Sequence, residues 1–466
     1  MTYPRPCPPA SGPLEPYAAQ FDSQFHSLAQ RHSFRNYLTG LLLPRDRPKT
    51  LTALAGAEPL VQAQAAEVQR LQYFLSESDW DAAALSLRTL ELLAAEPETA
   101  PHAKGVLVID DTGDRKDGSA IDHVARQYLG SVGKIDNGIV AVTTLWADEQ
   151  RYYPLHVAPY TPQKRLAGGK QDPAFRTKPQ MALALIEQAR LAGIVFRAIV
   201  ADCFYGDNGA LEAALRQRHL PYVLARRGRV GLGWARVELA HSFEDAAGDL
   251  PARCWKKVVR RFRNGHEELW WAAGLTLFGY GPTQPVRAIC ATTDPCTLPE
   301  LSTWYLTTNL SLREAPLADI VHLYGLRNWI EEGYKRMKDE LGWADFMVRS
   351  DRAIRRHWAL VCCAFAFCWW HEAYQKRVAS QTAASASRKA QPSLPVRKKN
   401  PRAGAANVAV LATRPEGSAR LAGPGTLAHT LLERLLRHAP AFRTRHAARR
   451  AHGRSRHQSL SPALTN

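Results

Sequence analysis

Apolar positions divide this chain into stretches of different period. Between 17 and about 95 they recur at helical spacing: Phe25, Leu28, Phe34, Leu38 and Leu41 to Leu43, then a run over 60–74. A third run, over 80–93, is entered through Ser76-Glu77-Ser78 as a cap. A small helical domain over 17–100 is the expectation. Past Pro101 the period changes. GVLVID at 105–110, GIVAVTTLWA at 138–147 and the stretch 152–159 read as strands, the last two close enough for an antiparallel pair. Helical spacing over 179–193 ends at a glycine, and a strand at 196–202, a helix at 208–219 and a strand at 221–225 follow. This alternation predicts an α/β fold, a mixed sheet with helices on it, over 101–375.

From 226 to about 301 the pattern is β-rich. Strands at 255–263, 267–280 and 286–293, with turns at Asn264-Gly265 and Gly281-Pro282, read as an insertion into the sheet domain. A strand at 304–308 then leads into one long helix, 317–341, with a buried helix, 352–374, behind it. Residues 1–16 are proline-rich, and 376–466 are rich in Ala, Arg, Ser and Pro. Both compositions predict disorder, with a short amphipathic helix at 426–437.

The net charge of +18 changes meaning once it is located. Beyond residue 375 lie 18 of the 61 Lys and Arg residues but only two of the 43 acids, Glu416 and Glu433. That segment carries +16 and the body before it only +2, so DNA contact by the body has to rest on local patches. Arg31, Arg35, Arg45, Arg47 and Lys49 in the helical region suit DNA and suit an ordinary solvated face equally. The same two readings apply to Lys256, Lys257, Arg260, Arg261 and Arg263, with Trp255, Trp270 and Trp271 alongside. Eight cysteines form no CxxC pair and no zinc-finger spacing, the N-terminus lacks an apolar run, and the longest apolar run, 358–370, is too short for a bilayer. The expectation is a cytoplasmic chain of a reducing compartment with no membrane partner.

Chemistry concentrates in YGLRNWIEEGYKRMK at 324–338. On one helix, Tyr324, Arg327, Glu331, Lys335 and Lys338 share a face, a carboxylate among three cations and a phenol. A carboxylate to hold a divalent metal and cations to hold phosphates are what phosphodiester cleavage needs. Two predicted strands end in further acids: 105–110 in Asp110-Asp111-Thr112-Gly113, and 196–202 in Asp202. In open α/β sheets function gathers beyond the carboxyl ends of strands, and both fall there.

Tyr324-x2-Arg327-x3-Glu331-x6-Lys338 resembles the Tyr-Arg-Glu-Lys signature of bacterial insertion-sequence transposases of the DDE type. Asp111-Thr112-Gly113 resembles their first-aspartate motif, and Val200-Ala201-Asp202-Cys203-Phe204-Tyr205-Gly206-Asp207 the second; residues 123–147 also look like one branch of the group. The resemblance spans about 20–375. It implies a ribonuclease H-like catalytic domain interrupted by the β-rich insertion; the helical region precedes it, with DNA binding and a solvated face both open for its basic residues. It implies cut-and-paste transposition, with end cleavage and 3′-hydroxyl strand transfer at two Mg²⁺ or Mn²⁺ ions held by Asp111, Asp202 and Glu331. Asp111 is chosen over Asp110 because the family's residue directly precedes the threonine, which leaves Asp110 to turn toward the core. Tyr324, Arg327, Lys335 and Lys338 would contact DNA, with Lys134 and Arg126 as weaker choices. Further implications are a homodimer on paired element ends and a nucleoid-associated location in a bacterial cytoplasm. Two alternatives stay open: a catalytically silent DNA-binding relic, and a structure-specific nuclease on the same fold.

Overall fold

The computed structural model describes residues 6–44, 47–56, 65–229, 242–261, 266–278 and 285–389. Its strands are β1 (Val106–Arg115), β2 (Ala125–Leu129), β3 (Lys134–Ala147), β4 (Tyr152–Tyr160), β5 (Ala198–Ala201) and β6 (Tyr222–Arg226), followed by β7 (Lys256–Arg261), β8 (Glu267–Phe278), β9 (Pro285–Thr292) and β10 (Thr303–Thr308). They form one sheet in the order β2-β3-β1-β5-β6-β10-β9-β8-β7, with β4 also paired to β3. The pairs β1–β5 and β5–β6 are parallel and the others antiparallel. Val106 to Ile109 and all of β5 are buried, as central strands covered on both faces must be.

The helices are α1 (Glu15–Ala18), α2 (Leu28–Leu42), α3 (Leu51–Leu54), α4 (Ala66–Ser76) and α5 (Ala82–Ala95), all before the sheet. Then come α6 (Lys178–Leu191), α7 (Cys203–Gly206), α8 (Gly209–Gln217), α9 (Phe243–Gly248), α10 (Leu317–Gly325), α11 (Asn328–Asp339) and α12 (Asp351–Lys389). Two starts are locally coded: Ser27 with Gln30 and Thr177 with Gln180 close capping boxes on α2 and α6. No described helix is long and apolar enough to cross a membrane.

Several expectations change. The apolar faces of the helices at 17–100 join the core shared by the sheet and α12. Tyr17 donates to the Cys363 carbonyl at 3.1 Å, and the Tyr37 hydroxyl lies 2.8 Å from His357 Nδ1. Two of the basic residues offered there for DNA are buried: Arg35 pairs with Glu15 and Asp22, and Lys49 bonds the Leu41 carbonyl. Disorder does not reach residue 16, since Leu14 is buried and Glu15 holds Arg35. At the other end α12 continues past 375 to Lys389, its buried stretch ending near Ala373. The amphipathic stretch 426–437 and both insertion turns lie outside the described residues. The insertion extends the main sheet through β10, with a second small core around Phe243, Trp255 and Tyr305.

Two corrections bear on the site. The first strand does not end in a turn after Asp110. Pairing with β3 runs on to Arg115↔Gly138 because that partner strand is 14 residues long, so Asp110 and Asp111 sit mid-strand on opposite faces. The predicted helix 317–341 is two helices. At Leu326 and Arg327 the bonds tighten to i→i+3, with Arg327 N–H on the Tyr324 carbonyl and Ile330 N–H on that of Arg327. The five-residue stripe is therefore split between two helices.

Candidate active site

The register of the parallel pair brings the acids together. Ile109 pairs with Ala201, and one residue further on come Asp110 and Asp202. Asp202 caps α7, its Oδ1 accepting from Phe204 N–H at 3.1 Å and Tyr205 N–H at 3.4 Å. That turn can tuck against β6 only because position 206 is glycine: a Cβ there would stand 1.8 Å from the Ala225 carbonyl oxygen.

Asp110 faces α11. Arg327, at the tightened turn, places Nη2 2.7 Å from Asp110 Oδ2, and its Nη1 donates to Glu331 Oε1 at 3.3 Å. The guanidinium thus links β1 to the exposed Glu331 in the first turn of α11. Asp111 faces the other way, toward α6: Lys178 Nζ is 3.1 Å from its Oδ2, and the Tyr205 hydroxyl donates to the same oxygen at 3.3 Å. Asp110 turns inward as expected, its side chain 14% exposed against 22% for Asp111. Strand alternation aims Asp110 at Arg327 and sets Asp111 on the reverse face.

The electrostatics follow this layout. Burial pushes the Asp110 carboxyl up to about 7, Asp202 and Asp111 adding to the rise while Arg327 opposes it. Burial likewise raises Asp202, with Arg327 working against it and Asp111 with it. Burial disfavours the charge on Arg327, but Asp110, Tyr324, Asp202 and Glu331 outweigh that and hold it firmly protonated. Asp110, Asp111 and Asp202 therefore repel one another, and Arg327, whose buried Nε has no partner among the described residues, works against that repulsion at Asp110 and Asp202.

The other expected site residues are placed differently. Tyr324 is buried, its ring edge-on to Trp304 at 4.9 Å, so it presents no open face. Lys338 Nζ lies 2.7 Å from buried Asp114 Oδ1 and bonds the Gly113 carbonyl, bracing α11 to β1. Lys335 is half-buried on α11. Lys134 lies on the β2–β3 hairpin, 3.8 Å from Asp136, and Arg126 is on the same hairpin. In the β-rich segment Arg260 is enclosed between Trp270 and Trp304, 4.5 and 4.3 Å from their ring centres. Sequence reasoning missed Lys178 and Tyr205. Lys178 follows the Thr177 cap, where a lysine reads as a solvated first-turn residue; Tyr205 lies inside the motif around Asp202.

Among the described residues, no three His, Cys, Asp or Glu side chains stand close enough to form a ready metal cage. The donor chemistry nevertheless suits a hard divalent cation: oxygen-only ligands, two carboxyls pushed up by burial, and mutual repulsion that a cation would relieve.

Comparison with known proteins agrees with this picture. Residues 20–242 match a family described as DDE superfamily endonuclease, and residues 164–367 one described as transposase DDE domain. A probable transposase for insertion sequence element IS701 from Microchaete diplosiphon is 32% identical over 347 residues, which make up 74% of this chain and 84% of that protein.

Proposed function

The chain belongs to the DDE transposases of insertion sequences, and from that premise we propose how its acidic centre cuts and joins DNA. The observation that carries the proposal is the adjacency of Asp110 and Asp202 just beyond the last pair of the parallel β1–β5 ladder, with Arg327 joining Asp110 to Glu331. Asp110, Asp202 and Glu331 would hold Mg²⁺ or Mn²⁺, two ions by the logic of phosphodiester displacement. When bound, such cations supply Lewis acidity toward the scissile phosphate and a more acidic water. Asp111, the residue that the resemblance favours, is the alternative first ligand; its place against Lys178 and Tyr205 suits a supporting role.

In the first step water attacks the phosphorus at the element end and the 3′ oxygen leaves as a hydroxyl. In the second, that hydroxyl attacks a phosphodiester of target DNA and a new 3′ oxygen leaves. Arg327 orients Asp110 and Glu331 toward one another, and Lys178 offsets the charge of Asp111. Lys335 serves DNA phosphates, while Tyr324 and Lys338 set the position of α11. Two paired ends call for two copies of the chain, so the active form is a homodimer on DNA.

The test uses DNA flanking this protein's own gene. Asp110→Asn, Asp202→Asn and Glu331→Gln should each abolish Mg²⁺-dependent cleavage while retaining binding to the ends. Full cleavage by any one of them removes that residue from the centre. Strand joining by the wild type separates a transposase from a nuclease that only cuts.

A further inference from the structure

An exposed aromatic ring borders the carboxylates. Phe204 is 51% exposed, although its own N–H donates to Asp202. Its ring stands edge-on to that of Tyr205, 5.1 Å between centres, and the Tyr205 hydroxyl reaches Asp111. Lys178 Nζ, 3.1 Å from Asp111, is also 5.2 Å from the centre of the Phe204 ring and 5.7 Å from that of Tyr160. A single water-facing phenyl group needs no explanation. This one belongs to a residue whose N–H bonds Asp202, touches the tyrosine that reaches Asp111, and shares a cation with a second ring.

We propose that Phe204 and Lys178 form a nucleotide subsite beside the scissile phosphate. The base stacks on the Phe204 ring and the adjoining phosphate takes Lys178. A phenyl ring has no hydrogen-bonding group, so it accepts the face of any base, and the lysine adds backbone attraction without reading sequence. Inside a duplex both faces of a base are covered by its neighbours. The ring can therefore be used only by a nucleotide that is terminal or has left the stack. The substrate class that follows is DNA unpaired or fraying at the cut, with no base identity demanded there. This subsite rests on the transposase reading of the same centre.

The experiment uses the full chain and end DNA carrying 2-aminopurine at each nucleotide bordering the mapped cut, with Ca²⁺ in place of Mg²⁺ so that fluorescence is read without cleavage. At one position the wild type should shift the fluorescence from its duplex value; Phe204→Ala and Phe204→Leu should lose the shift and Phe204→Trp should restore it. With Mg²⁺, Phe204→Ala should cut intact ends about 10-fold more slowly, and the two proteins should cut equally when that nucleotide is abasic. Thermal melting of the variants guards against misfolding, which a half-exposed ring does not predict. Unchanged fluorescence in Phe204→Ala, or a cleavage defect of the same size on abasic and intact DNA, overturns the subsite. Absence of cleavage by the wild type on every DNA would instead count against the transposase reading, leaving the fluorescence comparison to decide the subsite.

Discussion

Arg327 and Asp110, 217 positions apart in the chain, meet at 2.7 Å with both side chains 14% exposed. The contact ties the tightened turn between α10 and α11 to the middle of β1, so the position of Glu331 depends on it. Replacing Arg327 by Met leaves Asp110 buried among like charges, and a loss of about 3 kcal/mol in unfolding free energy is expected. In Asp110→Asn the same replacement should cost clearly less. Urea titration of the two singles and the double checks this; strictly additive losses would deny the coupling.

Cation binding is a separate consequence of the same repulsion. Mg²⁺ or Mn²⁺ should raise the melting temperature of the DNA-free protein, since an ion bound by the folded state alone, at a hundred times its Kd, adds about 2.7 kcal/mol. Asp110→Asn and Asp202→Asn should remove most of that rise, and Asp111→Asn should keep it. A rise lost only in Asp111→Asn would restore Asp111 as the first ligand.

Acid should loosen the join between the first helices and α12. His357 is fully buried, with Nε2 donating to the Gly342 carbonyl at 3.1 Å and Nδ1 accepting from the Tyr37 hydroxyl at 2.8 Å, an arrangement that requires the neutral ring. Burial, helped by nearby Lys116, lowers its pKa from 6.5 to about 3. Between those values the unfolded chain binds a proton that the folded one refuses. Stability is therefore intact above about pH 6.5 and falls as the pH drops toward 3, by up to about 1.4 kcal/mol per unit from this group. His357→Gln should show a shallower decline in urea midpoint between pH 6.5 and 4; an equal slope would exclude His357 as its source.

Lys338 separates bracing from DNA contact. Its partner Asp114 is buried and also accepts from Trp343 Nε1 at 3.0 Å. Lys338→Glu would set a second carboxylate against it and should cost about 3 kcal/mol of stability, with Lys338→Met costing less. Normal melting of Lys338→Glu combined with weaker DNA binding would return the lysine to the phosphate-contact group.

Asp202 at the end of its strand was legible in the sequence because an apolar run stopping at a carboxylate is a local pattern, as at 196–202; the same pattern at 105–110 marked Asp110 and Asp111 but not the strand's end, which lies at Arg115. Which aspartate faces which helix was not legible, since it depends on how far β3 extends the ladder, a property of residues 134–138 rather than of β1. The break at Leu326 and Arg327 directly follows Gly325, the last residue of α10, but apolar periodicity continues across it, and reading that period through overstated the common face of Tyr324 and Glu331. Lys178 gave no signal, its role arising from a contact with Asp111 across 67 residues of chain. That α12, some 300 residues later, packs against α2 and α5 was not legible, because their apolar positions do not name the partner that covers them.

The central claim is that Asp110 and Asp202 belong to one cation-dependent cleavage centre. Its most direct measurement is cutting of the flanking end DNA by wild type, Asp110→Asn and Asp202→Asn, each with Mg²⁺ and with EDTA. The account predicts cleavage by the wild type with Mg²⁺ alone, and none by either variant despite normal folding and end binding. Cleavage by Asp110→Asn or Asp202→Asn at the wild-type rate, or by the wild type in EDTA, would contradict it.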